Sequence, residues 1–119
     1  MKILVTGSRY WTSPSIVRCA LSEYEPGTLI HGDCRGLDRL AGTIAELMGW
    51  DIIKCPANWK RYGKAAGIIR NNKMLDLNPD LVLAFHENLT ESKGTKHCIK
   101  EAKRRGIDVL LFTGESEPE

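Results

Sequence analysis

Apolar residues recur along this chain in two rhythms: short unbroken runs, and longer stretches where they return every three or four positions. The first rhythm marks buried strands and the second marks one face of a helix. Ile3-Leu4-Val5 is the first run, ended by Thr6-Gly7-Ser8. Ser13-Pro14-Ser15 opens a helix, with Ser13 as N-cap and Pro14 in the first turn. That helix extends to about Tyr24, and Pro26-Gly27 closes it. Thr28-Leu29-Ile30-His31 is the second strand, ended by Gly32. Leu37, Leu40, Ala41, Ile44, Ala45 and Met48 have the spacing of one buried helix face, and Gly49 caps that helix. Asp51 to Cys55 is the third strand, stopped by Pro56; Asn58 caps a turn, and a helix covers roughly Ala65 to Leu77. Asp80 to Phe85 is a fourth strand, nearly all apolar, as a strand covered on both faces must be. Glu87 to Lys93 is a polar loop, Gly94-Thr95 opens a helix ending at Gly106, and Ile107 to Phe112 is the fifth strand.

Strands alternating with helices force parallel pairing through right-handed crossovers. The expected fold is therefore α/β: a single three-layer domain with a five-stranded parallel sheet in the order 3-2-1-4-5. Residues 1–112 form this domain and 113–119 an acidic, frayed tail. Such an order places a topological switch between strands 1 and 4, and ligands bind outside the carboxyl ends of the strands at a switch of this kind.

With 119 residues there is room for one core and no second domain. No apolar stretch reaches membrane-spanning length, and the early glycine makes the N-terminus a strand rather than a signal peptide. Cys19, Cys34, Cys55 and Cys98 stand singly, and the histidines do too, so neither a metal site nor a disulfide framework is expected. These features read as a cytoplasmic protein with no membrane partner. The net charge of +2 is modest, but its distribution is uneven. Lys54, Lys60, Arg61, Lys64, Arg70 and Lys73 follow one another with no intervening acid, and Lys93 to Arg105 is a second basic cluster. Basic runs are usually solvated helix faces. Here they bracket glycine loops, which points to an anionic ligand.

The glycines lie where strands end. Gly7-Ser8-Arg9 follows strand 1, Gly32 to Gly36 follows strand 2, and Lys93-Gly94-Thr95 follows strand 4. Glycine lets a backbone approach a ligand closely, and the helix that follows offers unpaired N–H groups and a positive dipole end. A single loop of this kind is often just a turn; three at one sheet edge are expected to form a phosphate site. Neither a Walker A loop nor a G-x-G-x-x-G fingerprint is present. Arg9 has the chemistry to clamp a phosphate with two parallel hydrogen bonds. Asp38 suits either the helix dipole or a ribose hydroxyl, and Asp33 either a turn or the ligand. Arg70 and Asn71 lie within the third helix. Trp11, Trp59 and Tyr62 could pack in the interior or stack on a base.

These residues resemble a known group. Gly7-Ser8-Arg9-Tyr10-Trp11, then His31-Gly32-Asp33-Cys34-Arg35-Gly36-Leu37-Asp38, are similar to the YspA/YpsA-related branch of the SLOG superfamily. So are Pro56-Ala57-Asn58-Trp59, Tyr62 to Gly67, Arg70-Asn71-Asn72-Lys73-Met74 and Gly94-Thr95. The resemblance implies a Rossmann-like fold, a nucleotide or nucleotide-derived ligand, and a homo-oligomer. It also implies kinship with the lonely-guy phosphoribohydrolases, with Arg70 where those enzymes keep an arginine and Gly94-Thr95 as a remnant of their P-G-G-x-G-T loop. Two features depart from the enzymes. Thr90-Glu91-Ser92-Lys93 stands where they carry Pro-Gly-Gly, and no acid follows Gly94-Thr95 before Glu101. Cleavage of an N-glycosidic bond passes through a cationic sugar that a carboxylate would stabilise.

The sequence thus favours binding of a nucleotide, ADP-ribose-like or cyclic signalling ligand, as a sensor or a sequestering protein, with no cofactor and no assigned catalytic residue. The ligand-binding candidates are Gly7, Ser8, Arg9, Trp11, Gly32, Asp33, Gly36, Asp38, Arg70, Asn71, Gly94 and Thr95. The alternatives are a nucleotide N-glycosidase using Asp33, Asp38 or Glu91, and, third, a nucleic-acid module built on the basic clusters. A compact stand-alone domain of this size fits a bacterial or phage genome.

Overall fold

A computed structural model describes residues 1–114, so the acidic tail over 115–119 lies outside the described residues. The strands are β1 (Lys2–Gly7), β2 (Thr28–His31), β3 (Asp51–Lys54), β4 (Leu81–Phe85) and β5 (Asp108–Phe112). The helices are α1 (Pro14–Leu21), α2 (Leu37–Leu47), the short α3 (Trp59–Tyr62), α4 (Ala66–Leu75) and α5 (Gly94–Arg104). All strands are parallel, in the order β3-β2-β1-β4-β5 that the alternation of elements predicts.

Two apolar layers cover the sheet, and the two-residue period of a strand decides which side chain joins which. Ile3, Val5, Leu29, Leu83 and Phe85 face α1 and α2, where Val17, Leu21, Leu37, Ala41 and Ile44 meet them. Leu4, Ile30 and Val82 face the other way, onto Met74, Leu75, Cys98 and Ala102 of α4 and α5. Burial of each such leucine or isoleucine stabilises the fold by about 1.5–3 kcal/mol. Phe85 ends the inner strand β4, with Trp11 against its edge at 5.6 Å and Phe112 stacked at 4.8 Å.

Element ends differ from the sequence reading in instructive ways. Ser13 does stand at the N-cap of α1, yet its hydroxyl does not cap the helix. Its carbonyl instead accepts the indole N–H of Trp11 at 3.0 Å. The expected turn at Asn58 is the short helix α3, whose cap is the Asn58 side chain accepting from the Arg61 N–H at 3.1 Å. α1 ends at Leu21 rather than near Tyr24, because Tyr24 N–H turns back onto the Leu21 carbonyl. Among the described residues no helix is long and apolar enough to cross a membrane.

Candidate functional site

The loops after β1 and β2 are locked together before any ligand is considered. The Ser8 N–H donates to the Phe85 carbonyl, and the Ser8 carbonyl accepts from Leu37 N–H at 2.9 Å. Gly36, at φ +84, lies flat against Arg9: a Cβ there would come within 2.4 Å of the Arg9 carbonyl carbon and oxygen. Only glycine combines that backbone angle with that closeness. Gly7 is needed for packing, since its Cβ would strike the Phe85 carbonyl at 2.2 Å and the Leu37 side chain at 2.7 Å.

Asp38 shapes the loop after β2. Its Oδ2 accepts from Gly32 N–H at 3.0 Å and from Cys34 N–H at 3.3 Å. The side chain is buried, and burial raises its carboxyl pKa to about 6, although the two N–H donors and the nearby Arg70 oppose the rise. His31, ending β2, is buried as well. Its Nδ1 accepts from Asp33 N–H at 2.9 Å, which places the proton of the neutral ring on Nε2. Burial lowers its pKa, helped by Lys54 and Arg39. Asp33 takes φ +58, uncommon outside glycine, and its carboxylate lies 3.3 Å from Arg39 Nε.

Arg70 reaches these loops from α4. Its Nη1 donates to the Gly32 carbonyl at 2.7 Å and lies 3.5 Å from Cys34 Sγ, while its Nε donates to Asn71 Oδ1 at 3.1 Å. Glycine at position 32 leaves room for the guanidinium as it lies, since a Cβ would sit 2.4 Å from Nη1. Asn71, buried, passes the linkage on: its Nδ2 donates to the Gly94 carbonyl at 3.2 Å and also faces His97 Nδ1 at 3.2 Å. The Arg70-Asn71 pair therefore ties the loop after β2 to the start of α5.

Between these parts lies an open cleft of about 430 Å³. Arg9, Arg35, Arg39 and Arg70 line it together with Gly32, Asp33, Cys34 and Trp59. Asp33 is the one acid among its lining residues. Trp59 is 56% exposed and rests on Gly67, where a Cβ would touch the ring at 3.5 Å. The cleft thus combines four cations with a partly exposed aromatic ring.

The sequence candidates divide into three sets. Arg9, Gly32, Asp33 and Arg70 line the cleft. Gly7, Ser8, Gly36, Asp38 and Asn71 build the walls behind it. Gly94 and Thr95 lie at the start of α5, outside the lining, where Ser92 Oγ accepts the Thr95 N–H at 2.9 Å. Trp11 stands apart from all three: the structure packs it in the core at 4% exposed, away from the cleft lining, with its N–H committed to Ser13. Arg35 and Arg39 carry no role in the sequence reading, though Arg35 sits inside the glycine loop and Arg39 one turn beyond it.

The carboxylates also fall into place. Glu101, the first acid after Gly94-Thr95, is held by Arg104 at 2.6 Å and Arg105 at 3.0 Å. Those partners keep its pKa down at about 2. Glu91 is exposed in the turn before α5. The basic side chains of Lys60, Arg61, Lys64 and Lys73 are exposed, as a solvated helix face would be. Among the described residues no group of three His, Cys, Asp or Glu side chains is placed to hold a metal ion.

Comparison with known proteins agrees with this architecture. A family model described as YAcAr, the YspA, cpYpsA-related SLOG family, matches residues 1–62. That span runs from β1 through α3 and contains Arg9, Arg35, Arg39 and Trp59. The chain is also similar to the Gene 61 protein of Mycobacterium phage D29, at 37% identity over 121 aligned positions that cover 93% of this chain and 95% of that protein. No solved structure matches it. With more than half of its length inside the family model and nearly all of it aligned to the phage protein, this chain belongs to the YspA, cpYpsA-related SLOG family.

Proposed function

We propose that the protein binds a phosphorylated nucleoside or a nucleotide-derived signal, ADP-ribose-like or cyclic, and acts as a sensor or sequestering protein. The observation that carries this reading is the charge of the cleft. Four arginines face it against one carboxylate, and that carboxylate already has Arg39 as its partner. Guanidinium groups grip phosphate oxygens in pairs. Trp59 presents an open ring at the same cleft, suited to stacking on a base. Membership of a SLOG family supports a nucleotide-related role.

Binding without turnover is favoured over hydrolysis by where the acids lie. Glu101 is spent on Arg104 and Arg105, and Asp38 Oδ2 accepts the Gly32 and Cys34 N–H groups within the loop. Neither is free to stabilise a cationic sugar.

The test is calorimetric titration with nucleoside monophosphates and ADP-ribose, with chromatography of the same mixtures after incubation. Arg9→Ala and Arg35→Ala should each weaken binding roughly 10- to 100-fold, the loss of one charge-assisted contact. Failure of every phosphorylated nucleoside to bind would refute the proposal. Release of free base would replace it with the hydrolase reading.

A further inference from the structure

A second groove, of about 580 Å³, opens between α2 and the edge strand β3. Asp33 and Arg39 line both this groove and the arginine cleft, so their 3.3 Å ion pair forms the ridge between the two. The Arg39 side chain on that ridge is 63% exposed, so the partition is a movable side chain rather than backbone. We infer that the two grooves form one extended site. The ligand would then be a two-part nucleotide: phosphates in the arginine cleft, joined to a second ribosyl or base unit lying between α2 and β3. This inference rests on the nucleotide reading of the cleft and adds a subsite to it.

The chemistry of the second groove differs from that of the first. His31, Gly42 and Trp50 contribute to it from β2, α2 and the approach to β3, and Thr43 and Glu46 line it from α2. Arg39 and Lys54 are its cations; Asp33, Glu46 and Asp51 are its acids. That near balance does not favour another phosphate. It suits a neutral group rich in hydroxyl or N–H donors, which carboxylates and the Thr43 hydroxyl can accept. Trp50, 3% exposed, lines the groove as part of its packed wall.

Gly42 shows that the position of His31 is built rather than incidental. It lies inside α2, where glycine costs up to about 1 kcal/mol against alanine. Its Cβ would stand 2.7 Å from His31 Nε2, so the helix gives up that side chain to seat the ring. The same ring holds Asp33 N–H through Nδ1 and thereby fixes the ridge.

The experiment compares AMP with ADP-ribose by calorimetry, for the wild-type chain and for Thr43→Trp and Glu46→Trp. Both residues are exposed on α2, and a tryptophan at either would fill the groove. Thermal melts of each variant confirm that the fold is kept. Wild-type protein should bind ADP-ribose roughly tenfold more tightly than AMP, the worth of one or two added hydrogen bonds. The variants should lose that margin while binding AMP as before. Equal affinities in the wild type, or a margin that survives both variants, would overturn the extended site and leave the cleft proposal standing. If neither compound binds, the nucleotide reading itself fails and takes the subsite with it.

Discussion

Replacing Asp38 by Asn should stabilise this protein at neutral pH, although Asp38 makes two hydrogen bonds. The reason is the ionised state. The carboxylate is buried, and its pKa stands at about 6 against an ordinary 3.8. A group whose folded-state pKa is raised favours folding at pH values below its unfolded pKa. That contribution is lost as pH rises through the folded pKa. Between pH 4 and 6, then, the wild-type chain loses stability relative to a chain with a neutral group at this position. The shift corresponds to about 3 kcal/mol at full ionisation. Asparagine imitates the protonated acid: its Oδ1 can still accept from Gly32 N–H and Cys34 N–H, which Asp38 Oδ2 now serves at 3.0 and 3.3 Å.

The assay is urea denaturation of both proteins from pH 4 to 8. The stability difference should be near zero at pH 4 and grow to at most about 3 kcal/mol in favour of Asp38→Asn above pH 7. His31 is present in both proteins, so its contribution cancels in the difference. Loss of the carboxylate also leaves the charge of Arg70 uncompensated, so the variant should bind inorganic phosphate more tightly. A difference that does not change with pH, or destabilisation at pH 8 as large as that at pH 4, would show that the carboxylate is not strained by burial.

Three further outcomes follow from single residues. Gly36→Ala forces a side chain to φ +84 and against the Arg9 backbone, so denaturant midpoints should reveal a loss of about 3 kcal/mol or more. His31 has a pKa lowered by burial, so the unfolded chain takes up its proton first; stability should fall as pH drops below about 6.5, and nitrogen NMR at pH 7 should find the proton on Nε2. Gly94→Ala meets open space at the first turn of α5 and should leave the melting temperature unchanged or slightly raised; unchanged ligand affinity in that variant would separate the loop before α5 from the cleft.

The strand order was legible because strand and helix patterns alternate cleanly, and parallel crossovers leave few arrangements. That Arg9, Gly32 and Asp33 would share one cleft was legible because they follow strand ends. The share of work among the glycines was not. In the sequence Gly7, Gly36 and Gly94 look alike, yet one packs against a neighbouring strand, one adopts a backbone angle closed to other residues, and one faces open space. Trp11 and Trp59 were equally ambiguous, and only the turn of the chain after β1 sends Trp11 beneath Phe85 while α3 leaves Trp59 outside. Arg35 had the signal of lying inside the glycine loop after strand 2, whereas Arg39, one turn into the helix, had none.

The buried polar groups bear on function more directly than the glycines do. A core selected for stability alone would not keep an ionisable acid at Asp38, a histidine at His31 and a glycine within α2 to seat that histidine. Three side chains act on the same five-residue loop, 32–36: Asp38 holds Gly32 and Cys34, His31 holds Asp33, and Arg70 closes on the Gly32 carbonyl. The result is a loop fixed from three directions, with Asp33 at φ +58 and Gly36 at φ +84. Backbone held in place by buried polar contacts belongs where geometry must be ready before a ligand arrives. That loop also presents Arg35 and the Asp33–Arg39 ridge, so the cost in stability is concentrated at the boundary between the two grooves.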